Sequence, residues 1–469
     1  MELIVDVTKI PSSVIKILEL FEAHGYEAYL IGGCVRDLLL SKIPHDYDIA
    51  TNATPEESMR LLESHGFKVV PIGVEFGTVK VVLPDADVEV TTFRREVYPE
   101  YGRGGRRPVV SWARSLAEDV ARRDFTINAL AMDRHGRVID LVGGLEDLKR
   151  RIIRFVGEPR DRILEDPLRM MRAVRFASVL DFEIEEGSLK AIREYASHIR
   201  RVSWERIRDE FIKVMEKGCL AKFLKLLEEA SLLEYIIPEL HEATQVYHAV
   251  GMRHHYGESV FQHTLDVVMR LEKLGIRDVP LLLAGMLHDV GKVVTFRRSG
   301  TFHGHEVESA RLAEEILRRL RFSCAVIREV VTLVRYHMLP HQYVAQSVQV
   351  EKWVSRLVTK LGDAKLVEKL LLLAYADAGL EEAYMQALEV LKRLTEQTKP
   401  KPLVTGEIIL RMFPERKPGA WVRELKEKLY QIQLETSAKT IQEVLEKAVE
   451  RGILEPKRVK IILAETAYC

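Results

Sequence analysis

Cysteine is scarce in this sequence and nowhere closely spaced. Its 469 residues hold four, Cys34, Cys219, Cys324 and Cys469, with no Cys-x-x-Cys pair. That argues against a disulfide framework and against a zinc–thiolate site, and it fits a reducing compartment, so a cytoplasmic protein is expected. The N-terminal MELIVDVTKIPSS lacks a basic n-region, and no later stretch reads as an uninterrupted apolar span, so the expectation is a soluble chain with no membrane partner. Charge excess is missing as well. Seventy Lys+Arg balance seventy Asp+Glu, so net charge gives no sign of a nucleic-acid partner. Extended disorder is not expected, because 47% hydrophobic residues in a chain of this length support several buried cores. The balance conceals local bias: arginine concentrates in 94–123 and again in 149–176, the second run carrying Phe155 and Phe176. Two such runs suit phosphate contacts.

The rest of the chain is organised around LIGGCVRDLLLSKIPHDYDI, residues 30–49. An apolar strand over 28–31 breaks at Gly32-Gly33, a short helix carries Arg36 and Asp37, and a second strand contains Asp46-Tyr47-Asp48. Residues i and i+2 of a strand share a face, so Asp46 and Asp48 point together. Two carboxylates there suit Mg²⁺, a hard ion that prefers oxygen and shares it with substrate phosphates. The glycines allow close approach of a triphosphate to the backbone. Residues 12–24 read as an amphipathic helix, Thr54-Pro55 opens another, and 69–72, 78–83 and 87–93 alternate like strands of a small mixed sheet. Asp87 and Glu89 again share a face, and Glu89 is a candidate third carboxylate.

GGCVRD followed by DYD resembles the nucleotidyltransferase superfamily related to DNA polymerase β, in its class II tRNA nucleotidyltransferase and poly(A) polymerase branch. The resemblance implies an α+β fold: a polymerase-β-like head with a small mixed sheet over 1–145, an all-α neck and body over 146–245, then two further helical regions. It implies catalysis by Asp46, Asp48 and Glu89, with Mg²⁺ at the two aspartates, and in-line attack of a 3′-hydroxyl on an α-phosphate. EDVARRDFTINALAM, 118–132, has helical spacing and looks like the family's RRD motif, which would set Arg122 toward the triphosphate, Asp124 at the ribose edge and Asn128 beside them. RILEDPLRMMRAVRF, 162–176, reads as a helix with Asp166 and Arg169 as neighbours on one face. In the resembled family the EDxxR motif, here Glu165, Asp166 and Arg169, reads the edge of the incoming base. Gly32, Gly33, Arg36, Arg172 and Arg175 complete the expected nucleotide-binding set. TFRREVYPEYGRGGRRP, 92–108, is too irregular for an element and reads as a mobile loop beside the site. WERIRDE, from Trp204, resembles the family's next motif and is expected to pack.

A second chemistry begins near residue 246. His263, His288-Asp289 and Asp377 occur in the contexts QHTLDVV, GMLHDVGK and YADAG, which look like the HD superfamily of metal-dependent phosphohydrolases, here spanning 246–395. The resemblance implies that these four bind one divalent ion, that His305 and His337 complete a second site, and that Lys292 contacts phosphate. Mixed His/carboxylate ligation suits Mn²⁺, Ni²⁺ or Co²⁺ among others. The helices of 396–469 resemble the segment that holds the tRNA body in related bacterial enzymes. Together these features imply addition of CCA to tRNA 3′ ends from CTP and ATP, with phosphohydrolase activity in the HD region. An A-adding enzyme working with a CC-adding partner, a poly(A) polymerase and a non-catalytic RNA-binding module are the rivals. PIGVEFGTVKV, nearer the tRNA-enzyme form, weighs against the polymerase. The sequence is silent on oligomeric state.

Overall fold

Alternating apolar residues build one mixed sheet in the computed structural model, which describes residues 3–97, 109–247, 258–379, 381–398, 402–436 and 438–459. Its seven strands run in the order Lys68–Val70, Thr78–Val82, Asp87–Thr92, Asp46–Thr51, Ala28–Ile31, Ala131–Met132, Val138–Ile139. Asp46–Thr51 pairs in parallel with Asp87–Thr92, setting Asp46 opposite Asp87 and Asp48 opposite Glu89. Along the first of these strands Tyr47 and Ile49 enter the core while Asp46 and Asp48 stay exposed, as a period of two requires. The helix Ser12–Ala23 buries Val14, Ile17, Leu18 and Phe21, a single stripe at helical spacing. Thr54 and Glu57 close a full capping box at the start of Pro55–Ser64.

Three local expectations fail, each for a physical reason. The helical spacing of 118–132 does not produce one helix: Leu116–Ala121 ends at Arg122, a single 3-10 turn covers Thr126–Asn128, and Ala131–Met132 joins the sheet. Phe125 is drawn into an antiparallel bridge with Phe155 instead. The stretch 162–176 is likewise two helices, Pro159–Glu165 and Leu168–Leu180. Pro167 disfavours helical backbone at the residue before it, and Asp166 is extended at φ −146°. The arginine-rich stretch is also less irregular than its composition suggests, since Arg94–Val97 pairs antiparallel with Val109–Trp112. Its glycine-rich part, 98–108, lies outside the described residues.

The helices Leu168–Leu180, Trp204–Lys217 and Leu220–Glu229 pack on one another, and Val260–Lys273 packs on the last. Helical structure then continues through Val279–Leu287, Lys292–Ser299, His305–Arg319, Cys324–Tyr336, Met338–Ala345, Val350–Leu361 and Ala364–Asp377. The stretch 279–299, interrupted by His288, Asp289 and Lys292, is long and apolar enough by length and composition alone to cross a bilayer, but 72% of its most apolar window is buried inside the protein. It comprises two helices with His288 and Asp289 between them, and the first packs against Val260–Lys273, Cys324–Tyr336 and Ala364–Asp377.

The chain divides into two compact units, Met1–Leu388 and Glu389–Cys469. In the second, Gly406–Met412, Ala420–Thr436 and Ile441–Glu450 surround a core of Ile409, Met412, Leu429, Ile432, Val444 and Leu445. Thr405 and Thr440 cap the first and last of these helices through their side chains.

Candidate functional sites

The sheet register gathers carboxylates. Asp48 stands beside Asp46 on its own strand and opposite Glu89 on the next, all three exposed. Asp48 keeps some solvent-reachable surface, but the dense protein around it strips bulk solvation, and with Glu89 and Asp46 nearby its carboxyl is pushed up to about 6 despite the opposing charge of Arg123. Such a set is short of positive charge and made wholly of oxygen donors, which fits a hard divalent ion. Gly32 lies against it with φ +85°, where a Cβ would stand 3.1 Å from a guanidinium nitrogen of Arg123 and 3.8 Å from Asp48 Oδ2. Only glycine leaves that backbone open.

The RRD segment turns both arginines onto one buried acid. Arg122 donates to Asp119 Oδ1 at 2.7 and 3.0 Å, and Arg123 donates to Asp119 Oδ2 at 3.1 and 3.3 Å. Burial opposes ionisation of Asp119, but Arg123 and Arg122 hold its carboxyl below the usual range. Arg123, which sequence reasoning passed over for Arg122, is the one that also reaches the carbonyl of Asn128, at 3.3 Å, and faces Asp48. Asp124 accepts from Arg172 at 2.7 and 2.9 Å and from Asn128 at 3.3 Å, and Asn128 in turn accepts from Arg36 at 2.6 Å. Arg36, Arg172 and Arg175 lie over the Phe176 ring at 5.3, 5.4 and 4.0 Å from its centroid. A chain of polar contacts thus runs from the helix after Gly32-Gly33 to the helix Leu168–Leu180. At Gly33 an added Cβ would stand 3.6 Å from a guanidinium nitrogen of Arg36.

Beyond Arg172 opens a cleft of about 370 Å³, lined by Asp166, Leu168, Arg169, Arg172, Arg206, Asp209, Glu210 and Lys213. Asp166 and Arg169 both line it, but they do not pair through their side chains. Arg169 bonds Glu165 and the carbonyl of Arg122, while Asp166 accepts from Arg206 at 2.7 and 3.1 Å. Arg175 is held by Glu210 at 2.5 Å. Arg206 was missed because an arginine in a packing motif carries no mark of what its guanidinium will meet.

The histidine region is closed where the head is open. The Nδ1 atoms of His288, His305 and His337 sit 2.9, 2.8 and 2.7 Å from the carbonyls of Gly285, Phe302 and Val334, so each donates there and turns Nε2 inward. Two groups of ligand atoms result, each within 4.8 Å: His263, His288 and Asp377, and the fully buried Asp289, His305 and His337. Asp289 stands between them, Oδ2 at 3.3 Å from His288 and Oδ1 at 3.1 Å from His305. Burial disfavours charge on His288, yet Asp289 and Asp377 raise its proton affinity to about 10, and burial with His288 beside it drops His337 to about 3. Lys292 pairs with Asp289 at 2.6 Å and lies 5.6 Å from the Phe302 ring centroid. The mixed imidazole and carboxylate donors, with ring orientations already fixed, fit two transition-metal ions. His341, which sequence reasoning did not single out, bonds Asp377 Oδ2 at 2.9 Å. Its signal was available, four residues after His337.

Three known families match successive regions: the poly A polymerase head domain over residues 28–154, the probable RNA and SrmB-binding site of polymerase A over 181–244, and the HD domain over 260–378. A CCA-adding enzyme of Enterococcus faecalis is 35% identical over 431 residues, covering 90% of this chain and 91% of that one. One from Lactobacillus helveticus is 48% identical over 215 residues, 45% of this chain and 52% of its own. Among solved structures, the Bacillus stearothermophilus CCA-adding enzyme in complex with CTP superposes with a TM-score of 0.61 at 27% identity, covering 94% of this chain and 98% of that one.

Proposed function

The chain belongs to the family of CCA-adding enzymes, and from that premise we propose that its head transfers cytidylate and adenylate from CTP and ATP to the 3′ end of tRNA, with Asp46 and Asp48 as the catalytic carboxylates. The observation that carries this reading is the register setting Asp48 beside Asp46 and opposite Glu89, next to Gly32 and Arg123. Asp46 and Asp48 would hold magnesium, which would supply charge for the triphosphate and acidify the attacking hydroxyl. Gly32 keeps the backbone clear for phosphate, and Arg123 offers a cation on the same side. Arg122 and Asp124 stand further along, Asp124 fixed by Arg172 and Asn128 so that a ribose hydroxyl meets a rigid acceptor.

Base choice we assign to the cleft of Asp166 and Arg169. A carboxylate accepts from the exocyclic amine that C and A share and that U lacks, and a guanidinium donates to ring acceptors. Arg172, which lines the cleft, and Arg175 beside it are braced by Asp124 and Glu210 over Phe176. The HD region we read as a phosphohydrolase. His263, His288 and Asp377 would hold one divalent ion such as Mn²⁺, Ni²⁺ or Co²⁺ and Asp289, His305 and His337 a second, which would supply an activated water and a polarised phosphate beside Lys292. Ends bearing 2′-phosphate or 2′,3′-cyclic phosphate are natural substrates, because they block the hydroxyl that the head requires. The division into head 1–145, body 146–245, HD region 246–395 and tRNA-holding tail 396–469 follows the same reading. So does a cytoplasmic location, which the free thiols of Cys34, Cys219 and Cys324 suit.

The test is extension of a tRNA transcript ending before its CCA, with CTP and ATP present and Mg²⁺ supplied. Growth by three nucleotides that stops when the ion is chelated is expected. No extension by the folded protein rejects the reading.

A further inference from the structure

The distant carboxylate of the histidine region is held from a side that the recognised motif does not explain. Asp377 turns Oδ1 to His263 at 2.9 Å, whereas its Oδ2 lies 2.9 Å from Nε2 of His341. The other ring nitrogen of His341 is 2.6 Å from the hydroxyl of Tyr384, a residue only 2% exposed, and the two rings meet edge-on with centroids 5.4 Å apart. These contacts fix the tautomer. A carboxylate only accepts, so Nε2–H donates to Asp377, and Nδ1 accepts from the tyrosine hydroxyl. His341 belongs to the helix Met338–Ala345, which begins directly after His337. One short segment therefore serves both groups of ligand atoms: His337 enters the buried group directly, and His341 grips the carboxylate of the other from behind.

We propose that His341, locked by Tyr384, is a positioning residue that makes Asp377 a one-oxygen ligand for the divalent ion of the His263, His288, Asp377 group. The inference rests on reading this region as a metal-dependent phosphohydrolase. A carboxylate free to rotate presents either oxygen or both. With Oδ2 held by an N–H, Oδ1 alone remains for the ion, already aimed at the point where the Nε2 atoms of His263 and His288 converge. Asp289, whose Oδ1 serves the other group while Oδ2 faces His288, is oriented by a different partner, Lys292. Perturbing His341 therefore weakens one of two ions and spares the other.

Cobalt provides the readout, counted by equilibrium dialysis and seen in its visible absorption, using the full-length protein with Asp48→Asn added to suppress uptake in the head. Two Co²⁺ ions are expected without further change. His341→Ala should weaken one of them by about tenfold to a hundredfold and shift its absorption band. His341→Gln, whose amide N–H reaches the same carboxylate, should restore most of the affinity, and Tyr384→Phe should give a smaller loss of the same sign. In protein with Asp48 intact, hydrolysis of a simple phosphodiester should fall in the same order while nucleotide addition holds. If the protein binds no Co²⁺ before His341 is touched, the phosphohydrolase reading itself fails. If it binds Co²⁺, and His341→Ala and Tyr384→Phe leave affinity and spectrum unchanged, the positioning role alone is overturned. Should His341→Ala not fold, Tyr384→Phe decides by the same criterion.

Discussion

The head and the histidine region solve the problem of holding divalent ions in opposite ways. In the head three carboxylates sit exposed on two inner strands of a sheet, with excess negative charge and no fixed neutral donors. In the histidine region six ligand atoms converge from buried helices, and three of the imidazoles are oriented by backbone carbonyls before any ion arrives. The difference follows from what each site must admit. A head that accepts triphosphates and a tRNA end leaves ion coordination partly to the substrate, so its residues stay open and electrostatically strained. A site that acts on one phosphate can draw three ligand atoms per ion from buried side chains and leave only the remaining positions to water and phosphate.

The largest effect should come from breaking the exposed pair. Asp46→Ala or Asp48→Ala is expected to lower nucleotide incorporation by roughly a thousandfold or more, while hydrolysis at the histidine region persists. Parallel loss of both activities in a folded protein would contradict the division. The reciprocal double change, His288→Ala with Asp289→Ala, should abolish hydrolysis with any divalent ion and leave CCA addition within about twofold. Elemental analysis should then show the region's ions gone.

A smaller effect sharpens the contrast in strain. Asp48 has its carboxyl raised to about 6 from an unfolded value near 4, so in chelator its contribution to stability is present at low pH and lost as pH rises through that interval. Asp48→Asn should therefore melt at a higher temperature than the parent in chelator at pH 7, with the gap closing near pH 4. An equal melting temperature at both pH values would remove the strain from the account.

Base selection ranks next. Asp166→Ala, and Arg206→Ala through the lost bidentate contact, should degrade discrimination of C and A against U by about tenfold to a hundredfold, more than either lowers tRNA binding. Preserved preference at reduced rate would move the reading of bases elsewhere. The smallest effect is a control: Thr54→Ala removes a capping box at a cost of about 1 kcal/mol and should leave both selectivity and hydrolysis unchanged.

Both sites were legible in the sequence where the chemistry is local. Asp46 and Asp48 share a strand face by period alone, and the four HD residues announce themselves by order and context. What stayed hidden depends on distant partners. Asp166 and Arg169 look like a helix pair three residues apart, until Pro167 breaks the helix and sends one to Arg206 and the other to Glu165. The apolar spacing of 118–132 imitates a helix because Phe125, Ile127 and Leu130 are all core residues, although they lie in and around a short 3-10 turn. His341 gave no sign of its partner, since Asp377 approaches it from a helix 36 positions away.

The most direct measurement supplies each nucleoside triphosphate separately to three tRNA transcripts: one lacking the whole CCA end, one lacking only the terminal A, and one complete. Two C additions from CTP are expected on the first, one A addition from ATP on the second, nothing on the third, and no use of UTP or GTP. Addition of A alone to the second transcript, with CTP inert on the first, would contradict it and make the chain an A-adding enzyme.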